Sequence, residues 1–258
     1  MVRLDTRWAG HPWIHYETTD STNLRAKELA QTGAFRHGTL ITADEQVAGR
    51  GRRGRVWTSP KGASVSMSLI LRPEFPSEKA PMLTVLAALA MRRAIQEETG
   101  LAVEIKWPND IVYQGKKLCG ILTEMSLDTS GRYYVVIGMG INTNITSFPE
   151  ELPYAVSVRQ LLGEEIDGGA LIESTMIAFE ALYDQFIQTE DFSTLRTEYE
   201  AHMAGKGNRV QILEEVSYCG ICQGITKTGA LLVIDDAGVL HQIQSGEVSV
   251  RGIYGYIE

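Results

Sequence analysis

Cysteine is scarce in this chain: Cys119, Cys219 and Cys222 are the only three among 258 residues. An odd number of thiols without an export signal argues for a reducing compartment and against a disulfide framework. Cys219 and Cys222 do form a Cys-x-x-Cys. No second pair follows it, and Val216 to Thr226 reads as a strand, so neither a redox nor a zinc site is expected there. Long hydrophobic runs are missing too. The longest apolar stretch lies near Met82 to Met91, ends at Arg92 and Arg93, and is too short to span a bilayer. Met1 to Gly10 carries Arg3, Asp5 and Arg7 without an apolar core and does not read as a signal peptide. A soluble, cytoplasmic chain with no membrane partner is expected. Positive charge is in deficit: 24 Lys and Arg against 32 Asp and Glu leave a net charge of −8. That balance argues against the broad basic surface of a nucleic-acid domain, and it makes any local arginine cluster stand out. There is no Walker A loop, no His-Glu-x-x-His and no Gly-x-Ser-x-Gly. Any nucleotide must be held without a P-loop, and hydrolase and metalloprotease classes lack support.

What is present suits an ordinary globular protein, with 44% apolar and 22% charged residues. Asp20-Ser21-Thr22-Asn23 offers capping oxygens to a short helix ending near Gly33. Thr39 to Asp44 reads as a strand. Val65, Met67, Leu69 and Leu71 alternate with Ser64, Ser66 and Ser68, as in a half-buried strand. Leu83 to Ile95 has helical spacing and stops at Gly100. Further strands are expected at Val103 to Lys106, Ile111 to Tyr113, Leu118 to Met125 and Tyr133 to Ile137, with Gln114-Gly115 as a tight hairpin. Helices follow at about Ala170 to Gln188 and Thr194 to Met203. Hairpin-linked strands mixed with helices predict an α+β fold with a mixed or antiparallel sheet rather than a doubly wound one. After Gly205-Lys206-Gly207 the sequence turns to short β-rich runs broken by Gly220, Gly224, Gly229, Gly238, Gly246 and Gly252. These suit a small barrel of about five strands. The expected division is residues 1–205 and 206–258.

Four arginines sit within seven positions at Gly49-Arg50-Gly51-Arg52-Arg53-Gly54-Arg55. The glycine spacing matches a dinucleotide fingerprint, which works by opening a helix whose N-terminus holds a pyrophosphate. Pro60 and Gly62 forbid a long helix here, leaving a bendable loop that brings guanidinium forks around a small anion. A solvated basic turn or an RNA-binding patch are the plainer alternatives. Lys106-Trp107-Pro108-Asn109-Asp110 ends a strand with an ammonium, an amide and a carboxylate on a proline turn. Lys117 stands at the mouth of an apolar strand, either snorkelling to solvent or facing a ligand. Gly138-Met139-Gly140-Ile141-Asn142 reads as a strand-end bulge or as bare backbone against a ligand.

Taken in order, these words resemble those of the biotin–protein ligases: Asp20-Ser21-Thr22-Asn23, Gln46, the arginine loop with Trp57, Lys106 to Asp110, Lys117 to Leu122, and Gly138 to Asn142. The resemblance runs from about His15 to the C-terminus. It implies a catalytic domain related to class II aminoacyl-tRNA synthetases and lipoate ligases, followed by a Src-homology-3-like barrel. It also implies activation of biotin by ATP, with Mg²⁺ on the nucleotide, to biotinyl-AMP. Transfer to a lysine of a biotin carboxyl carrier protein, of acetyl-CoA carboxylase or another biotin-dependent carboxylase, would follow. By resemblance Ser21, Thr22, Asn23, Gln46, Arg50, Gly51, Arg52 and Lys117 would bind biotin. Arg52, Trp57, Lys106, Asn109, Lys117 and Asn142 would meet the adenylate or ATP, and Arg52 with Lys117 would carry the chemistry. Only about fourteen residues precede the first word, where some relatives have a winged helix, so DNA binding is not expected. Cys119 replaces the usual alanine. Thr143 to Ser157, the expected adenine-covering loop, lacks an aromatic where some relatives have tryptophan. Relatives pair along a sheet edge, making a homodimer an expectation. The competing readings are a lipoate or octanoate ligase or transferase of the same superfamily and, from another class, a nucleic-acid-binding regulator.

Overall fold

The computed structural model describes residues 4–58, 60–213, 217–244 and 249–251. The turn glycines expected at Gly246 and Gly252, and the strand start at Val216, lie outside these. Seven strands form the main sheet: β1 (Trp13–Thr19), β2 (Thr39–Gln46), β3 (Ser64–Leu71), β4 (Glu104–Lys106), β5 (Asp110–Tyr113), β6 (Lys116–Leu127) and β7 (Tyr133–Asn142). Their order is β1-β2-β3-β7-β6-β5-β4. β1 and β2 run parallel and every other pair is antiparallel, so the α+β reading with a mixed sheet holds. β1 was not foreseen: its alternation is blurred because it is an edge strand with mostly part-exposed side chains. The β5–β6 hairpin turns on Gln114 and Gly115 with φ of 48° and 75°. Two successive positive φ values give the primed turn that matches strand twist.

Helices cover both faces of the sheet. α1 (Thr22–Gln31) connects β1 to β2 and packs Ala26 and Ala30 on Ile41, Ile70, Tyr134 and Val136. α2 (Met82–Thr99) and α4 (Gly168–Thr189) lie on the other face over Met67, Leu69, Leu71, Val135 and Ile137. β3 is therefore buried along its whole length, not half-buried. Its alternating serines face α1, and two of them serve the site described below. α2 is buried at every position from Met82 to Met91. The short α3 (Val158–Leu162), closed by a Ser157–Gln160 capping box, was not foreseen either. α5 (Arg196–Ala201) leads to the small domain.

The small domain is a five-stranded antiparallel sheet of the Src-homology-3-like kind. Its strands are β8 (Arg209–Leu213), β9 (Tyr218–Ile225), β10 (Leu231–Asp235), β11 (Leu240–Ile243) and β12 (Ser249–Arg251), in the order β11-β10-β9-β8-β12. Cys219 and Cys222 sit three apart on β9, so they point to opposite faces. At roughly 10 Å of strand length they are too distant for a disulfide. Hydrogen bonds join this domain to the first, among them one from the Phe192 N–H to the Lys227 carbonyl at 2.7 Å. The Trp107 indole N–H donates to the Gly229 carbonyl at 2.9 Å. Glu200 accepts from the Ile225 N–H at 3.0 Å while pairing with Arg196 and Lys206.

Candidate active site

The site begins where β1 runs into α1. Asp20, rather than Ser21, ties the helix start. Its carboxylate accepts from the Ser21 N–H at 2.6 Å and pairs with Arg25 at 2.7 Å. Ser21 makes no side-chain capping bond, which corrects the expectation that it caps α1. Thr22 and Asn23 form the first turn of α1, buried against β2 and β3. The Thr22 N–H and hydroxyl reach Gln46 Oε1 at 2.8 and 3.1 Å, and Gln46 Nε2 donates to Ser66 at 3.1 Å. Ser68 lies 2.6 Å from Asn23 Oδ1 and 2.8 Å from Thr22 Oγ1. Asn23 Nδ2 donates to the Leu122 carbonyl and to Glu124. Burial alone would raise the Glu124 carboxyl, but its bonds from Lys27 and Asn23 outweigh this and hold it below its ordinary value.

Opposite this wall the strands carry glycine for reasons of space. A Cβ on Gly138 would fall 2.0 Å from Asn23 Oδ1, and one on Gly140 2.5 Å from Trp57 Cε2. β7 continues unbroken to Asn142, so the bulge reading fails. The glycines are bare backbone beneath the Asn23 and Trp57 side chains.

The arginine loop folds back on itself. Gly51 N–H donates to the Arg55 carbonyl at 2.7 Å, and Trp57 N–H to that of Gly49 at 2.9 Å. Only a single 3-10 turn, Arg52–Gly54, forms inside it. No helix N-terminus is presented, which removes the dinucleotide-fingerprint reading. Trp57 lies on Gly120 and Gly140, and its Nε1 is a buried donor without a partner. Lys117 stands 5.7 Å from the centre of the Trp57 ring and pairs with Asp110 at 2.7 Å. Arg52 Nη1 donates to Asn109 Oδ1 at 2.8 Å. Burial draws the Arg52 guanidinium pKa below its ordinary value, while the nearby Asp110 charge opposes that shift.

Two cavities meet here. The smaller, about 50 Å³, is lined by Ser21, Thr22, Asn23, Gln46, Arg50, Gly51, Arg52 and Lys117 together with Trp57 and the glycines. The larger, about 460 Å³, is lined by Arg52, Trp57, Lys106, Asn109, Lys117 and Asn142, with Ile145, Phe148 and Leu152 on its apolar side. Every residue that the resemblance assigns to biotin or to the adenylate thus lines one cavity or the other. Gly51, Arg52, Trp57, Asn109 and Lys117 line both. Residues 154–156 lie along β6 through Lys117 N–H to the Tyr154 carbonyl and Val156 N–H to that of Lys117. Asn142 holds the same segment through the Val156 carbonyl at 3.2 Å. Sequence reasoning missed Ser66, Ser68 and Glu124. The alternation of the serines on β3 and the place of Glu124 on the lysine strand itself were the available signals. It also passed over Phe148, which does supply an aromatic to the larger cavity from the 143–157 segment.

Residues 16–142 match the biotin/lipoate A/B protein ligase family, and residues 207–251 match the biotin protein ligase C-terminal domain. BirA, a bifunctional ligase/repressor of Bacillus subtilis, is 40% identical over 252 residues, covering 96% of this chain and 76% of that protein. The chain belongs to the biotin–protein ligase family. The biotin–[acetyl-CoA-carboxylase] ligase of Paracoccus denitrificans is 34% identical, over 85% of this chain and 93% of that one. The biotin protein ligase of Aquifex aeolicus, solved with biotin and ATP, aligns with a TM-score of 0.82 at 29% identity. That alignment covers 93% of this chain and 99% of that one. As a biotin–protein ligase family member the chain is an enzyme, and its class is ligase. Among the described residues, no helix is long and apolar enough to cross a membrane, and no group of three or more His, Cys, Asp or Glu could hold a metal ion.

Proposed function

We propose that this enzyme condenses biotin with ATP to biotinyl-AMP, releasing pyrophosphate, and then passes biotin to a lysine of a carboxylase carrier protein. One observation carries the reading: a smaller cavity that includes Thr22, Asn23 and Gln46 in its wall and a larger cavity flanked by Ile145, Phe148 and Leu152 join at Arg52, Trp57 and Lys117. The smaller cavity takes the biotin head against Thr22, Asn23 and Gln46, with Ser21, Arg50 and Gly51 at its rim. The biotin carboxylate then reaches the junction. The larger cavity takes the nucleotide, with adenine against Phe148, Ile145 and Leu152 and the phosphates toward Arg52, Lys106 and Lys117. Asn109 orients Arg52 through the bond at 2.8 Å. Trp57 walls the junction with its ring, which lies on Gly120 and Gly140.

The carboxylate oxygen attacks the α-phosphorus, the bond to the bridging oxygen breaks, and pyrophosphate leaves. Both reactants are anions, and the Arg52 and Lys117 charges offset their repulsion and the charge that builds on the phosphoryl oxygens. Mg²⁺ enters as part of the nucleotide substrate. Asp110 is the one carboxylate lining either cavity, among the described residues. Such a donor set suits a cation carried mainly by phosphate oxygens. In the second step the carrier's neutral amine attacks the acyl carbon and AMP departs. Asp110 is paired with Lys117, so its first role is to fix that ammonium at the junction. Residues 1–205 make up the catalytic unit and 206–258 the small domain in this reading.

The test is isothermal titration with biotin, before and after ATP and Mg²⁺, with mass analysis of the product. Biotin binding followed by a species at the mass of biotinyl-AMP is expected. Absence of biotin binding would overturn the assignment and turn attention to lipoate and octanoate.

A further inference from the structure

A third cavity, of about 310 Å³, lies where α4 begins over the β1–β2 edge of the main sheet, and it shares no lining residue with the two that meet at the junction. Its volume falls in the range of small-molecule pockets. Strand alternation puts Trp13 and His15 of β1 and Thr42 and Asp44 of β2 on one face of this parallel pair. The four make a polar chain along the cavity wall. Trp13 Nε1 donates to Thr42 Oγ1 at 2.7 Å, Thr42 Oγ1 lies 3.0 Å from His15 Nδ1, and His15 Nε2 lies 3.5 Å from Asp44 Oδ2. A carboxylate only accepts, so the Nε2 facing Asp44 carries a proton. In the neutral ring Nδ1 is then bare and takes the Thr42 hydroxyl proton. The donors of the chain are thus directed one to the next, and the chain ends on Asp44. At 3.5 Å that last contact is too long to be a full hydrogen bond, and the carboxylate has no closer partner among the described residues. Its side chain is 45% exposed, so an acceptor-only, negatively charged group remains open to a ligand. The rest of the lining is mainly apolar, with Val65 and Ile172 beside the Trp13 ring. Thr143 adds a hydroxyl: the residue is 2% exposed, lines the cavity, and has no side-chain hydrogen bond among the described residues. The positive end of α4 opposes a cation here, but the Asp167 carboxylate accepts the Gly169 N–H at 2.8 Å and offsets that end.

We propose that this cavity is a second ligand site, separate from the catalytic junction, for a small primary amine: its ammonium donates to Asp44 and its apolar body lies against Trp13, Val65 and Ile172. Charge sets the selectivity. A neutral alcohol of the same shape keeps the apolar contact and one hydrogen bond but loses the charge-assisted bond to the carboxylate. A carboxylic acid of that shape meets Asp44 as a like charge and is rejected. Because the lining is disjoint from both cavities at the junction, this site stands or falls independently of the reaction proposed above.

The experiment follows the indole N–H signals of the chain's four tryptophans by nitrogen-15 NMR during titration with three probes: 2-phenylethylamine, 2-phenylethanol and 3-phenylpropanoate. The Trp13 signal is assigned with Trp13→Phe, and the Trp57 signal reports on the junction. The amine is expected to shift the Trp13 signal with a Kd of about 1 mM, the affinity of a fragment of this size, and to leave Trp57 unmoved. The alcohol and the acid should bind at least about tenfold more weakly. In Asp44→Asn the preference for the amine over the alcohol should shrink to within about twofold. No movement of the Trp13 signal at 10 mM amine overturns the proposal, as does a response at Trp57 in its place. Equal binding of the alcohol or the acid, or a preference that Asp44→Asn leaves unchanged, overturns the role of Asp44 and with it the assignment to an amine. Should Asp44→Asn fail to fold, the parent's ranking of the three probes decides the matter alone.

Discussion

Gly138→Ala tests whether the strand glycines are there for space. β7 is held on both sides, by β3 and by β6, through continuous antiparallel ladders, so the strand cannot step back to admit a methyl group. The new Cβ would sit 2.0 Å from Asn23 Oδ1, 2.7 Å from its Cγ and 2.9 Å from its Nδ2. Asn23 must therefore move by more than an ångström. It then stretches or loses the bonds to Ser68, the Leu122 carbonyl and Glu124. Neutral hydrogen bonds contribute about 1 kcal/mol and those to a charged group about 1.5–3, while an extra methyl in a filled interior costs about 1–3 kcal/mol. Partial relaxation leaves a net loss of about 3 kcal/mol, or a fall of about 6–12 °C in Tm for a chain of this size. Displacing Asn23 also releases Ser68 and Thr22, so biotin affinity should drop about 100-fold, the equivalent of about 2.7 kcal/mol. ATP affinity should hold, because Asn23 and Gly138 do not line the larger cavity. Thermal unfolding and separate titrations with the two ligands measure all three. A Tm within about 1 °C of the parent and unchanged biotin binding would refute the steric argument.

Arg52→Gly removes one of the two cations at the junction. Adenylation should slow by about 10²–10³, and the adenylate that forms should escape, read as biotinyl-AMP separating from protein on gel filtration; full retention would contradict the assigned role. Trp107→Phe keeps an aromatic ring but deletes the N–H bonded to Gly229 together with part of the buried indole, and the carbonyl left unpaired alone costs about 1–3 kcal/mol. Since Trp107 belongs to the turn forming one wall of the larger cavity, KM for ATP should rise several-fold with biotin binding intact, and parallel changes in both would contradict this. Glu180→Gln addresses pH. Burial alone would raise the Glu180 carboxyl, yet N–H bonds from Ala9, Trp8 and Arg7 hold it below its ordinary value. Its stabilisation is complete above the unfolded-state value and lost as pH falls through the lower folded-state value. The parent's Tm should therefore decline more steeply than the variant's between about pH 5 and pH 3, and matching slopes would contradict the assignment.

Elements with a strong period were legible in the sequence. The β5–β6 hairpin was marked by Gln114-Gly115, α2 by its apolar spacing and Gly100, and the small domain by its regular glycines. β1 and α3 were not. β1 is an edge strand whose exposure blurs alternation, and α3 is a five-residue helix held by its capping box. Candidate site residues were legible wherever they break a local rule: four arginines in an acidic chain, a lysine opening a core strand, glycines within one. Ser66, Ser68 and Glu124 break no such rule. A serine alternating with Val and Met reads as the solvent side of a strand, and only the packing of α1 onto β3 turns that side inward. Phe148 was invisible for a related reason, since nothing in the 143–157 stretch shows that it folds back along β6.

The concentration of arginine within a chain of net charge −8 follows from the reaction proposed. A carboxylate and a phosphate brought to about 3.5 Å repel by roughly 5 kcal/mol at an effective dielectric constant of about 20, enough to slow their meeting by more than a thousandfold. A diffuse basic surface would relieve little of this, because exposed charges beyond a Debye length of about 8 Å are screened. Cations must stand at the junction itself, partly buried and already oriented. Arg52 and Lys117 are held there by Asn109 and Asp110, the adjacent residues of one turn. That turn is in turn fixed to the small domain through Trp107 and Gly229. The small domain, with no residue of its own lining either cavity among those described, thereby bears on the geometry of the charged junction, and the Trp107→Phe comparison of ATP and biotin binding measures how strongly.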